Sequence, residues 1–162
     1  NVELSPQYLV SCSTGNLGCN GGILTLAWAS LERSGLPTLE CEPYESQEGN
    51  APDCSKLEEG CKDGTPLKRY YAKSWSTRWY TSVESIKTEI FNNGPVESAF
   101  TVYEDFMAYA GGVYKHTSGA ALGGHAIKII GWGTEDGQDY WLVANSWGTN
   151  WGLQGYFKMA IG

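Results

Sequence analysis

One of the two histidines in the chain is placed for chemistry by the residues around it. His125 follows two glycines and precedes an apolar run, and Asn145 comes 20 residues later, directly after a second apolar run. Two strands joined by a tight hairpin account for this interval and place both residues on neighbouring strands. The Asn side-chain oxygen can then accept a hydrogen bond from the imidazole and fix its tautomer, as the third member of a catalytic triad does.

Neither residue is decisive alone. A histidine at the mouth of an apolar strand is more often structural than catalytic, and His116, in a polar stretch, is expected to be a solvated surface residue. The combination favours chemistry at His125, because Trp147 lies two residues after Asn145 and could shield the hydrogen bond from water.

The elements that must position this pair lie in the second half of the chain. The Asp136-Gly137 pair predicts a hairpin turn between apolar segments. The predicted strands are 96–102, 126–132, 140–144 and 155–160.

Helical signals dominate earlier. Ser5 is a candidate N-cap, and apolar residues recur at helical spacing over 23–31 until Gly35. Thr81 and Glu84 predict a capping box for a further helix. Helices first and strands later predict an α+β fold of two lobes, with residues 1–70 in a helical lobe and 71–162 in a β-rich lobe.

Composition excludes several classes of partner. Eleven basic and 18 acidic residues among 162 give a formal net charge of −7, which disfavours binding to nucleic acid or an anionic membrane. We find no apolar run long enough for a membrane helix and no signal-peptide pattern. We predict no metal and no cofactor.

The cysteine count is 5, an odd number. Residues 36–68 contain three of these cysteines and four of the six prolines, with little periodicity, so burial alone would hardly order them. Disulfides are the expected means, although spacing alone leaves their pairing open.

Several motifs in order along the chain resemble papain-like cysteine proteases, above all the cathepsin B group. They are Cys12 with Cys19-Asn20-Gly21-Gly22, Gly94-Pro95-Val96-Glu97, Gly124-His125-Ala126, Asn145-Ser146-Trp147-Gly148 and Trp151-Gly152. The resemblance implies a papain-like fold: a helical left lobe, incomplete here, packed against an antiparallel β-barrel.

The family's mechanism assigns roles to residues of this chain. The resemblance makes His125 the general acid/base, Asn145 its orienter and Trp147 its shield. The substrate-binding residues it implies are Gly21, Gly22, Ile23, Leu24, Gly124, Ala126 and Trp147. The nucleophilic Cys belongs to a family segment that precedes this sequence, and a C-terminal family segment is also absent, so we expect the chain alone to be inactive.

The resemblance also implies a disulfide map. It pairs Cys12 with Cys54 and Cys41 with Cys61, and it pairs Cys19 with a cysteine near the nucleophile. That partner could lie on a light chain if Asn1 is a processing site; the alternative is a partial sequence. Disulfides indicate a lysosomal, vacuolar or secreted protein.

The family's histidine-bearing occluding loop would lie in 42–53, which is short and contains no histidine. We therefore predict an endopeptidase acting on proteins or peptides, open to cystatin-type inhibitors. The alternative is a catalytically inactive relative that serves as a binding or structural module.

Overall fold

The computed structural model describes residues 2–162. These residues form two compact units, one ending at Arg78 and the other spanning Trp79–Gly162. None of the helices described between residues 2 and 162 is long and apolar enough to cross a membrane.

Short helices and loops build the first unit. Helix α1 (Pro6–Cys12) begins as predicted: the Ser5 side chain accepts a hydrogen bond from the Tyr8 amide, and proline occupies the first turn. Helix α2 (Leu24–Arg33) is capped by Ser34. Gly35 follows with a φ of 68°, a conformation that favours glycine. A 3₁₀ turn (Gly18–Asn20) and helix α3 (Cys54–Leu57) complete the unit.

The core of the first unit is small and partly polar. Tyr8, Leu36 and Leu57 form its buried apolar cluster. Four polar residues are as deeply buried: Ser5, Gln7, Glu42 and Ser46. Two disulfides, Cys12–Cys54 and Cys41–Cys61, close loops of 42 and 20 residues across this region. Cross-links restrict the unfolded chain where apolar burial is limited.

The second unit is built on one five-stranded sheet in the order β1-β3-β4-β5-β2. Neighbouring strands are antiparallel except for β2 and β5, which are parallel. The strands are β1 (Val96–Tyr103), β2 (Val113–Tyr114), β3 (Ala121–Glu135), β4 (Gln138–Ala144) and β5 (Tyr156–Ala160). The α+β prediction is confirmed. Within residues 2–162 the sheet is open rather than a closed barrel, because β1 and the two-residue β2 remain as its edges.

The second unit shifts one further sequence prediction by a residue and confirms another. Helix α4 (Val83–Asn93) does begin with a capping box, but Ser82 and Ser85 form it, one residue later than predicted. The hairpin between β3 and β4 turns at Asp136 and Gly137, whose φ values of 50° and 78° define the expected primed turn. Sequence patterning missed α3, β2 and the short helix α5 (Glu104–Met107).

Aromatic rings fill the core of the second unit. Phe106 in α5 and Phe157 in β5 are completely buried, with ring centroids 4.9 Å apart. The Phe106 ring also contacts those of Phe100, Trp147 and Trp151 at 5.0–5.5 Å. This cluster lies directly behind the residues that form the candidate site.

Candidate active site

The β3–β4 hairpin brings His125 and Asn145 together. His125 lies within β3, opposite Phe100 of β1, and Asn145 directly follows the last residue of β4. The Asn145 backbone is held by a 2.9 Å hydrogen bond from its N–H to the Gly155 carbonyl. The imidazole Nε2 is 2.7 Å from Asn145 Oδ1.

Backbone geometry fixes the tautomer of this imidazole. The Ser146 N–H, which can only donate, lies 2.8 Å from the same side-chain atom of Asn145, so that atom must be the amide oxygen. Nε2 must therefore carry the proton that it shares with the oxygen. In the neutral ring Nδ1 is then unprotonated, and among residues 2–162 it makes no hydrogen bond. Nδ1 is thus free to take a proton from another group.

Aromatic rings surround the imidazole. Trp147 lies against it with ring centroids 5.0 Å apart and planes tilted by 31°, and Phe100 approaches edge-on at 6.0 Å. Both of these rings rest on Phe106. Such packing limits rotation of His125 and excludes water from the side of the ring facing Asn145.

One hydrogen-bond donor of the Asn145 side chain is buried and unpaired among residues 2–162. Its Nδ2 atom is buried and has no hydrogen-bond partner within the part of the chain that the structure describes. An unmade hydrogen bond at a buried donor costs about 1–3 kcal/mol. The side chain is therefore placed so that its oxygen faces His125, while its nitrogen has no hydrogen-bond partner among these residues.

The other predicted residues of the second unit lie beside His125. Gly124 and Ala126 flank it on β3, and both are exposed, whereas Trp147 is half-buried. A Cβ atom added at Gly124 would meet no atom within 4 Å. The backbone next to the imidazole is therefore open to an approaching chain.

The predicted residues of the first unit form a separate exposed segment. Gly21, Gly22 and Ile23 are exposed, and Leu24 is half-buried at the start of α2. The Ile23 N–H donates to the Asn16 side chain at 2.7 Å, and a Cβ on Gly22 would lie 2.6 Å from the same oxygen. A side chain at position 22 would therefore displace the Asn16 amide and weaken its hold on this segment.

Four of the five cysteines are bonded in the pairs Cys12–Cys54 and Cys41–Cys61, while Cys19 is an exposed free thiol. Within residues 2–162 the one cluster with metal-ligand atoms in reach of each other is Cys12, Cys54 and Glu58. The two sulfurs of this cluster are already joined to each other, so it does not form a metal site.

His116 is exposed, as predicted, and it also contacts two side chains. Its ring stacks on Tyr103 with centroids 3.6 Å apart, and Nδ1 lies 3.1 Å from Asp105 Oδ1. The side chain retains 36% exposure. Sequence inspection gave no signal for this contact, because the partner lies 11 residues away in a helix that was not predicted.

Comparisons with known proteins agree on one relationship. A profile described as "Papain family cysteine protease" matches residues 1–162. "Cathepsin B-like CP3" of Giardia intestinalis is 42% identical over 159 residues, covering 98% of this chain and 52% of that protein. "Cathepsin B-like protease 1" of Arabidopsis thaliana is 43% identical over 176 residues, covering 100% of this chain and 46% of that protein.

A solved structure extends this relationship to the fold. "proCathepsin B S9 from Trypanosoma congolense" superposes with a TM-score of 0.87 at 35% identity, over 100% of this chain and 56% of that one. The papain-like fold inferred from the sequence is thereby confirmed. The chain spans about half the length of the curated relatives it matches. It belongs to the papain family of cysteine proteases and is cathepsin B-like within that family.

Proposed function

We propose that the protein containing this chain is a cysteine endopeptidase in which His125 is the general acid/base and Asn145 orients it. The observation that carries the proposal is the 2.7 Å contact between Nε2 and Oδ1, together with the tautomer that the Ser146 N–H imposes. A catalytic imidazole must present one nitrogen that can accept a proton, and this geometry reserves Nδ1 for that task.

The chemistry follows from that nitrogen. A thiol outside residues 1–162 gives its proton to Nδ1, and the resulting thiolate attacks a peptide carbonyl carbon. The imidazolium returns the proton to the leaving amine, and a water molecule then hydrolyses the thioester with His125 as base. The resemblance assigns the oxyanion to a backbone amide and a Gln side chain, both outside this chain.

Substrate contacts are proposed at the two exposed glycine-bearing segments. Gly21 and Gly22 would pair with the backbone of a protein or peptide substrate, and Gly124 would let it approach His125. Ile23 and Leu24 in the first unit, and Ala126 in the second, would contact substrate side chains, and Trp147 would cover the catalytic hydrogen bond. Their exposure or half-exposure supports this assignment.

Segment 42–53 supports internal cleavage rather than trimming of chain ends. Gln7 of α1 accepts a hydrogen bond from the Glu45 N–H at 2.7 Å and donates to Ser46 at 2.9 Å. Ser5 donates to the Glu42 carbonyl at 2.7 Å. A short segment tied to α1 in this way and lacking histidine has no group to receive a substrate C-terminus.

The setting and further partners are proposed on chemical grounds. Two disulfides suit an oxidising compartment, so we place the protein in a lysosome or vacuole or outside the cell. The exposed Cys19 thiol would link to a light chain, and cystatin-type inhibitors would compete with the substrate.

Labelling by an electrophilic cysteine-protease probe tests the activity. The full-length protein, reduced at mildly acidic pH, should be labelled, and His125→Ala should lose the labelling. No labelling of the folded wild-type protein would instead support the inactive binding module.

Peptide digestion tests the mode of cleavage. We expect cuts at internal bonds of a long peptide, with little release of C-terminal dipeptides. Dominant dipeptide release would contradict the role given to segment 42–53.

A further inference from the structure

The Asp105 carboxylate, which lies outside the proposed catalytic pair, binds the loop that leads into β3. Asp105 Oδ1 accepts a hydrogen bond from the Tyr114 hydroxyl at 2.7 Å and lies 3.1 Å from His116 Nδ1. Asp105 Oδ2 accepts from the backbone N–H groups of Thr117 and Ser118 at 2.8 and 3.1 Å. We call Asp105 and these four partners the Asp105 clamp.

The neighbouring residue Glu104 tightens the same contact. Its N–H donates to the Ala120 carbonyl, and its carboxylate accepts from the Ala120 N–H, both at 3.1 Å. Gly119 has a φ of 99°, and a Cβ there would lie 2.7 Å from Glu104 Cβ. Loop 116–120 is therefore held closely against the first turn of α5.

The clamp lies at the irregular end of the β1–β3 ladder. Tyr103 pairs with Ala121 but Val102 pairs with Gly123, so the register shifts by one residue at this point. His125 pairs with Phe100 just beyond the shift. A one-residue slip of β3 would turn the imidazole to the opposite face of the sheet.

We propose that Asp105 is a positioning residue for His125: by holding loop 116–120 it fixes the register with which β3 presents the imidazole. The inference rests on the proposed function, because it assigns His125 the role of acid/base. Asp105 does not touch the imidazole and acts only through the backbone of β3.

His116 joins the clamp to the edge strand β1. Tyr103 of β1 stacks on its ring, Asp105 of α5 faces its Nδ1, and Tyr114 of β2 shares that carboxylate. The clamp therefore connects α5, loop 116–120 and the strand that pairs with β3.

The hydrogen bonds of the clamp favour the ionised form of Asp105. Hydrogen bonds from the Thr117 N–H, then from Tyr114 and His116, hold the pKa of Asp105 well below its usual range. A depressed carboxyl pKa stabilises the fold above the pKa of the unfolded chain, and the stabilisation is lost as the pH falls through the folded value. The Asp105 carboxylate therefore keeps its charge at mildly acidic pH.

Asp105→Asn in the full-length protein tests the positioning role, with Asp139→Asn as the matched control. Asp139 accepts a hydrogen bond from Thr134 at the far end of the same hairpin. We expect Asp105→Asn to lower kcat on the order of 10-fold, because small misplacements of a catalytic group are costly, with KM changed by less than about twofold. Asp139→Asn should leave both constants near their wild-type values.

Imidazole NMR separates this inference from the proposed function, since it needs no turnover. The His125 Nε2 proton should shift in Asp105→Asn, and amides at the start of β3 should exchange faster, while neither changes in Asp139→Asn. An unchanged His125 signal would overturn the positioning role even if the protein is an active protease. An altered signal in a protein that no probe labels would refute the proposed function alone.

Two substitutions at His116 test the clamp from its other side, and they remain informative if Asp105→Asn does not fold. His116→Gln can keep the hydrogen bond to Asp105, and His116→Phe keeps only the stacked ring. Amides at the start of β3 should exchange faster in His116→Phe than in the wild type, with His116→Gln between the two. Equal exchange in the wild type and in His116→Phe would overturn the role given to the clamp.

Discussion

The two units are stabilised by different interactions. The unit that ends at Arg78 contains all five cysteines, a three-residue apolar cluster and four buried polar residues. The unit from Trp79 onward contains no cysteine and buries an aromatic core behind a continuous sheet. Covalent links and polar contacts hold the first, and apolar packing holds the second. The proposed acid/base, His125, and its partner Asn145 thus lie in the unit with the more regular backbone.

The largest expected effect comes from removing the central ring of the second unit. Phe106→Ala should lower the free energy of unfolding of this unit by about 3–5 kcal/mol, because it deletes a fully buried ring contacting several others. Chemical denaturation followed by tryptophan fluorescence measures this. The control, Phe91→Ala, removes a ring that is 82% exposed and should change stability by less than about 0.5 kcal/mol. Equal losses would mean that packing does not dominate this unit.

Breaking a cross-link should affect the first unit alone. Replacing both Cys41 and Cys61 by Ser should cost about 3 kcal/mol, since the bridge closes a 20-residue loop. Hydrogen exchange resolved by peptide measures the effect: amides in 36–68 should lose protection while those of β3 and β4 keep theirs. Loss of protection in both regions would contradict the division into two modes of stabilisation.

Replacing Asn145 should lower activity with little loss of stability, so it separates the two contributions of the second unit. Asn145→Ala should lower kcat on the order of 100-fold, because the imidazole loses the acceptor that fixes its tautomer. Its effect on unfolding should be small, because removal of the buried, unpartnered Nδ2 offsets the hydrogen bonds that the His125 Nε2–H and the Ser146 N–H lose. Steady-state kinetics and denaturation together test this, with Asn92→Ala on the exposed surface of α4 as control. An active Asn145→Ala enzyme would contradict the orienting role.

The smallest expected effect concerns a buried acid of the first unit. Burial raises the pKa of Glu42, one of whose oxygens has no hydrogen-bond partner within residues 2–162. The folded state therefore holds this proton more tightly than the unfolded chain does. The resulting stabilisation is complete below the unfolded pKa and is lost as the pH rises through the folded pKa.

Glu42→Gln should accordingly be more stable than the wild type at neutral pH, by about 1 kcal/mol, and the difference should shrink toward pH 4. Thermal unfolding at a series of pH values checks the trend. Glu48→Gln, at an exposed position, should show no such trend. A difference independent of pH would rule out titration of Glu42 as its cause.

The sequence predicted best what depends on neighbours along the chain. The turn at Asp136 and Gly137, the cap at Ser5 and the pairing of His125 with Asn145 all follow from local chemistry or from one hairpin. The predicted capping box of α4 lies one residue too early, because the box is completed by Ser85 and not by an acidic residue. A serine hydroxyl can serve there as both donor and acceptor.

Contacts between distant segments were beyond sequence patterning. The hydrogen bonds of Gln7 to Glu45 and Ser46 span 38 and 39 residues, and no periodicity announces them. Helix α5 has four residues, too few for a helical repeat. Periodicity therefore could not indicate that Phe106 is buried or that Asp105 binds loop 116–120. The disulfide pairs required the resemblance, because spacing alone allows several connectivities.

The contact between His125 and Asn145 needs no covalent link within the second unit. A β-hairpin closes in about 1–10 μs, whereas disulfides form over seconds to hours. The first unit, by contrast, contains bridges across 42 and 20 residues. We therefore expect a newly made chain to bring His125 and Asn145 together before its two disulfides are complete.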